Sequence, residues 1–135
     1  MKPKAIVFDL DGTLCTLSDS TNPYNHDGEE VIIPEMVYIL WLLRSPADKI
    51  LLTGRKKKEY WYITEKWLKD NDMAFAFDMI IMQEKSQADK NHIFKEEKLR
   101  ELQKEYDIIA VFDDNPDLVP VCKKLWILLL QVHFG

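Results

Sequence analysis

The sequence predicts an α/β fold, a three-layer sandwich built around a parallel five-stranded sheet. Short apolar runs alternate with longer helical segments from end to end, the pattern of strands joined by right-handed helical crossovers. Inside the first run there is no polar alternation, which marks a strand buried on both faces. The length of 135 residues, with 47% hydrophobic and 30% charged types, suits one domain spanning 1–135 that needs no covalent staples.

Ala5-Ile6-Val7-Phe8 is the first expected strand. The one long irregular segment, 15–30, is rich in Ser, Thr, Asn, Asp and Gly. A helix is expected over 35–44 and a strand over 49–52. The next helix, 57–71, places Tyr60, Ile63 and Trp67 on one face, read as core, and leaves Trp61 and Tyr62 open between packing and base stacking. A strand follows over 78–82. The helix over 92–105 has Ile93, Phe94, Leu99 and Leu102 as its sheet-facing residues. Lys95, Glu96, Glu97, Lys98, Arg100, Glu101 and Lys104 form its charged face, whose mixed signs suit solvent. After a strand over 108–112, Asn115 reads as an N-cap and Pro116 as the first position of a helix reaching Leu125. A last strand is expected over 126–132.

Composition excludes several classes. The formal charge is -5 with a pI near 5.2, so the chain is no uniformly basic nucleic-acid coat. A local basic run, Arg55-Lys56-Lys57-Lys58, can still create a positive field on an acidic protein. Cys15 and Cys122 have neither zinc-knuckle nor redox spacing, and a reduced, cytoplasmic setting is the simplest expectation. His26, His92 and His133 show no ligand spacing. The N-terminus has no signal-peptide pattern, and the longest apolar stretches, 37–43 and 125–130, are too short to cross a bilayer and are expected to be core.

Ligands of an open parallel sheet bind beyond the carboxyl ends of its strands, so the residues at those ends matter most. The first expected strand runs into Asp9-Leu10-Asp11-Gly12-Thr13, the second into Thr53-Gly54-Arg55, and the fourth into Asp113-Asp114-Asn115. Four carboxylates on one rim repel one another, which calls for a bound cation or raised proton affinity. Hard oxygen donors without a nearby thiol or imidazole favour magnesium. Gly12 allows a sharp turn just past the first pair.

Phe8-Asp9-Leu10-Asp11-Gly12-Thr13-Leu14 resembles motif I of the haloacid dehalogenase (HAD) superfamily of phosphatases, and Leu51-Leu52-Thr53-Gly54-Arg55 resembles its motif II. Asp113-Asp114 fits motif IV, and Lys95 fits motif III, with Lys90 and Lys98 as alternative lysines. The resemblance implies a HAD-like Rossmannoid core and a magnesium-dependent phosphomonoester hydrolase. Asp9 would attack phosphorus to form an aspartyl-phosphate, and Asp11 would give and take the proton. The ion would be held by Asp9, the Asp11 main-chain carbonyl and Asp113, with Asp114 in support. Thr53 and Lys95 would bind phosphoryl oxygens, and Gly54 and Arg55 would contact substrate.

A narrower similarity covers most of the chain. Tyr60, Thr64, Trp67-Leu68, Met82-Gln83, Lys95-Glu96-Glu97, Tyr106-Asp107-Ile108, Gln131-Val132 and Asn22-Pro23-Tyr24 are similar to the 3'-phosphatase domain of bacteriophage-type polynucleotide kinase. That domain carries an arginine where this chain has Ser20-Thr21-Asn22, and an aspartate where it has Asn91. Only about 36 residues separate Leu14 from Leu51, too few for a cap domain beside the expected helix, and an open rim suits a macromolecular end better than a free metabolite. The resemblance implies that this end is a polynucleotide 3'-phosphate. Alternatives are a phosphatase of small nucleotides or sugar phosphates, and a non-catalytic binding protein that keeps the fold.

Overall fold

Lys4–Phe8 forms strand β1, and its side chains alternate between two separate apolar layers. The computed structural model describes residues 1–16, 26–43, 46–85 and 90–133. Ser20-Thr21-Asn22 and Asn22-Pro23-Tyr24 lie outside the described residues, as does Arg44 at the end of the first expected helix. After β1 come α1 (Pro34–Leu42), β2 (Asp48–Lys56), α2 (Lys57–Asp70), β3 (Met79–Gln83), α3 (Asn91–Gln103), β4 (Asp107–Asp113), α4 (Leu118–Leu125) and β5 (Leu129–Gln131).

All four strand pairings are parallel, and the spatial order is β3-β2-β1-β4-β5. Ala5 and Val7 point to a layer completed by Phe94, Leu99 and Leu102 of α3 and by Leu118, Val121 and Leu125 of α4. Ile6 and Phe8 point the other way, onto Met36 and Leu40 of α1 and Trp67 and Leu68 of α2. This two-faced burial is the reason β1 reads as an unbroken apolar run. The chain moves outward from β1 through β2 to β3, then crosses back to β4 on the other side. The resulting crevice beyond the ends of β1 and β4 is where such a sheet binds ligands.

Several expectations are corrected. β2 extends to Lys56, so Thr53-Gly54-Arg55 lies inside the strand's last turn of pleat rather than beyond it. α4 begins at Leu118; Asn115 Oδ1 accepts the Asp117 N–H at 2.9 Å, and this side-chain turn delays the helix. Trp126 is not strand but the left-handed residue that ends α4, with φ 59°, and β5 is three residues long. Neither long apolar stretch is wholly core: Tyr38, Trp41 and Leu42 of α1 are exposed, as are Trp126, Leu128 and Leu130. Ile93 also faces solvent, while Lys95, placed by its neighbours on the charged face, is buried. Among the described residues no helix is long and apolar enough to cross a membrane.

Candidate active site

The carboxyl ends of β1, β2 and β4 open onto a cleft of about 710 Å³ lined by Asp9, Asp11, Thr53, Gly54, Arg55 and Asp114 among others. Asp9 follows β1 directly, and its N–H donates to Phe112 O at 2.9 Å, which carries the β1–β4 ladder one residue further and fixes the side chain at the crevice. Lys95 Nζ donates to Asp9 Oδ1 at 2.8 Å and to Asp113 Oδ2 at 2.6 Å. Thr13 Oγ1 donates to Asp9 Oδ2 at 3.2 Å. Asp113 Oδ1 accepts the Asn115 N–H at 2.9 Å.

Asp9, Asp113 and Asp114 each offer a carboxylate oxygen within 4.8 Å of the others. Burial pushes the Asp9 carboxyl well above the usual carboxylate range, with Lys95 opposing and Asp113 reinforcing the shift. Burial also leads the rise at Asp114. Lys95 is desolvated too, but Asp9 and Asp113 more than compensate and hold its ammonium charged. One ammonium against three carboxylates leaves excess negative charge in a buried site, and the donor set is hard oxygen throughout. These residues fit a magnesium ion.

Asp11 faces a different set of partners. Arg55 Nε donates to its Oδ2 at 2.9 Å and Nη2 to its Oδ1 at 2.7 Å, a bidentate fork. The same guanidinium donates through Nη1 to Thr64 Oγ1 at 2.9 Å and through Nη2 to Glu30 Oε1 at 3.2 Å. Desolvation weakens the Arg55 charge, but the hydrogen-bonded Asp11 outweighs it and raises its proton affinity. His26 Nδ1 lies 3.7 Å from Asp11 Oδ1 and 3.8 Å from Glu30 Oε1, with its ring edge-on to Tyr60. Burial pulls the His26 imidazole below its ordinary value.

The structure therefore gathers Asp9, Asp113, Asp114 and Lys95 in one group and turns the Asp11 carboxylate into another, so the four acids do not share a single cluster. Arg55 is buried on Asp11, Glu30 and Thr64, with its fork already taken by the protein's own acceptors. Thr53 Oγ1 accepts the Arg55 N–H at 3.2 Å, and a Cβ on Gly54 would collide with the Asn91 side chain, which lines the cleft. Lys98 pairs with Glu101 on the surface, and Lys90 stands at the cleft rim, so Lys95 alone of the three reaches Asp9.

Glu30 and His26 escape a motif search because their place depends on tertiary contact; Thr64 is among the residues that carry the narrower similarity, but its contact with Arg55 does not follow from its position in the sequence. Lys95 did carry a signal: with Leu99 and Leu102 it forms an i, i+4, i+7 stripe, the stripe that faces the sheet.

Two solved chains share this fold across 99% of the present chain. One belongs to a structure of the Pnkp1/Rnl/Hen1 complex and the other to a structure of the Pnkp1/Rnl/Hen1 RNA repair complex; both are 29% identical with a TM-score of 0.87. The present chain spans 47% and 43% of their respective lengths. A haloacid dehalogenase-like hydrolase family protein from Streptococcus pneumoniae has the same fold, with a TM-score of 0.69 at 15% identity over 98% of this chain and 86% of its own. Residues 3–135 match the family described as the polynucleotide kinase PNKP phosphatase domain, and with the match spanning nearly its whole length, the chain belongs to that family of HAD-fold phosphatases.

Proposed function

We propose that residues 1–135 form one phosphatase domain that removes the 3'-phosphate from a polynucleotide end through an aspartyl-phosphate on Asp9. The observation that carries this reading is the Asp9 carboxylate itself: buried at the end of β1, open to the cleft, gripped by Lys95 and flanked by Asp113 and Asp114. Asp9 attacks phosphorus, and the ester P–O bond breaks as the departing oxygen takes a proton from Asp11. A water then attacks the phosphorus, passes a proton to Asp11, and the bond to Asp9 breaks to restore the carboxylate. Asp9, Asp113 and Asp114, with the Asp11 main-chain carbonyl, would hold a magnesium ion, whose charge neutralises phosphoryl oxygens. Thr53 and Lys95 supply fixed donors where negative charge develops.

The polynucleotide substrate is supported by the family match and by Lys90 at the cleft rim, which places positive charge beside the acids; Lys56 also lines the rim but is paired with Glu59 at 3.8 Å. The RNA repair setting of the solved complex agrees with it. The buried, unpaired Cys15 and Cys122 agree with a reducing, cytoplasmic setting.

A substrate panel tests the proposal: 3'-phosphorylated and 5'-phosphorylated oligonucleotides, mononucleotides and sugar phosphates, each with magnesium at low and high salt. The 3'-phosphorylated polymer should turn over fastest, with an advantage that shrinks as salt rises. Preference for a free mononucleotide or sugar phosphate ends the polynucleotide reading. Asp9→Asn should abolish turnover with the fold intact, and full activity in that variant refutes the covalent mechanism.

A further inference from the structure

Glu30 lies directly behind the residue assigned the proton work. Its side chain is fully buried and its Oε1 accepts from Arg55, while its Oε2 has no hydrogen-bond partner among the described residues. A buried carboxylate with one oxygen unsatisfied lowers the stability of the fold. Its paired oxygen balances the buried Arg55 charge, and its second oxygen makes the arrangement costlier than a plain ion pair.

Its surroundings are built to hold it there. Trp67 Nε1 donates to the Glu30 carbonyl at 2.8 Å, anchoring the segment to α2. Thr16 N–H donates to Val31 O and Ile33 N–H to Leu14 O, each at 2.8 Å, which stitches the same segment to the loop that carries Asp11. Glu30 and Asp11 thus belong to one small paired unit, and both hold the guanidinium of Arg55. Thr64 takes the remaining Nη1 donor. Of these three acceptors only Asp11 lines the cleft.

We propose that Glu30 is a positioning residue for Asp11. Together with Thr64 it fixes the plane of Arg55, whose fork holds the Asp11 side chain at the cleft and apart from Asp9, Asp113 and Asp114; when Asp11 carries its proton one arm of the fork is given up, and the other still orients the group. Proton transfer to a departing oxygen depends steeply on the placement of the donor, so freedom at Arg55 becomes lost rate at Asp11. The inference rests on the reading of Asp11 as proton donor.

The leaving group separates this role from a structural one. An alkyl phosphate needs a proton as its ester bond breaks, whereas a nitrophenyl phosphate departs without one. The measurement is kcat/KM on both esters for wild type, Asp11→Asn, Glu30→Gln and Thr64→Val, since this parameter covers the steps up to ester cleavage. Asp11→Asn should lose far more on the alkyl ester than on the aryl ester. Glu30→Gln, which keeps the shape and removes the charge, should lose about tenfold on the alkyl ester and less than about threefold on the aryl ester. Thr64→Val should show the same bias, and retained aryl turnover reports an intact fold.

Equal losses on both esters, or none on either, in Glu30→Gln overturn the positioning role. If that variant does not fold, Thr64→Val decides by the same criterion. A bias present in Asp11→Asn and absent from Glu30→Gln defeats only the inference about Glu30. A bias absent from Asp11→Asn itself defeats the proton-donor assignment beneath it.

Discussion

Gly12 turns the chain away from the site with φ of +84°, a left-handed conformation that glycine adopts freely. A Cβ at this position would also collide with the Asp114 carboxylate, so glycine is needed for space as well as for backbone angle. Gly12→Ala should therefore cost about 1 kcal/mol in backbone strain and push Asp114 out of the acidic group. Displaced supporting groups weaken metal sites by roughly 10- to 100-fold, and the magnesium concentration giving half-maximal activity should rise on that scale. An unchanged magnesium dependence would show that Asp114 does not serve the ion. At this scale the sequence was readable where a residue acts through its own backbone or its place at a strand end, as Asp9, Gly12 and Asp113 do. It was silent on Glu30 and His26, which matter through contacts with Arg55 and Asp11 made only when the loop folds back. Lys95 lies between: five charged neighbours in α3 concealed a residue whose spacing from Leu99 and Leu102 put it on the buried stripe.

Elements were legible as long as one face differed from the other. β1 is buried on both sides and reads as a run. α1 is apolar nearly all round, so its sequence could not say which residues meet the sheet; Met36 and Leu40 do, and Tyr38, Trp41 and Leu42 face solvent. The end of α4 was hidden for another reason. Trp126 has high strand propensity, yet it occupies the left-handed position after the helix, where the Ile127 N–H reaches back to Cys122 O at 2.9 Å. Local propensity lost to a closing hydrogen bond. A bulky side chain at φ 59° is strained, and at 95% exposure Trp126 recovers little by packing. Trp126→Gly should stabilise the protein by about 0.5–1 kcal/mol, the left-handed penalty of 1–2 kcal/mol being partly offset by the entropy glycine adds to the unfolded chain. Thermal unfolding checks this, and a lowered Tm would mean that the indole contributes packing its exposure does not suggest.

At the scale of the whole molecule, the order β3-β2-β1-β4-β5 decides which strand ends can share chemistry. β1 stands between β2 and β4, and those three strands lead to or carry Asp9, Thr53 and Asp113; β3 and β5, at the edges, carry no residue of motifs I to IV, though Gln83 at the end of β3 lines the cleft. The alternation of runs and helices shows that the sheet is parallel, but the reversal between β3 and β4 follows from where the acids must meet. That meeting has a cost in an already acidic protein of net charge -5: Asp9, Asp113 and Asp114 are pressed together with Lys95 as their shared counter-ion. A divalent ion that binds only the folded arrangement must then stabilise the fold by mass action. At a hundredfold excess over its dissociation constant it adds about 2.7 kcal/mol, which for a chain of this size raises Tm by roughly 8–10 °C. Thermal unfolding in EDTA and in saturating magnesium should differ on that scale, and Asp113→Asn should remove the difference because it deletes one of the donors. Equal Tm values in EDTA and in millimolar magnesium would mean that the three carboxylates are balanced by Lys95 alone, and the acidic group would then be a scaffold for Asp9 rather than a metal site.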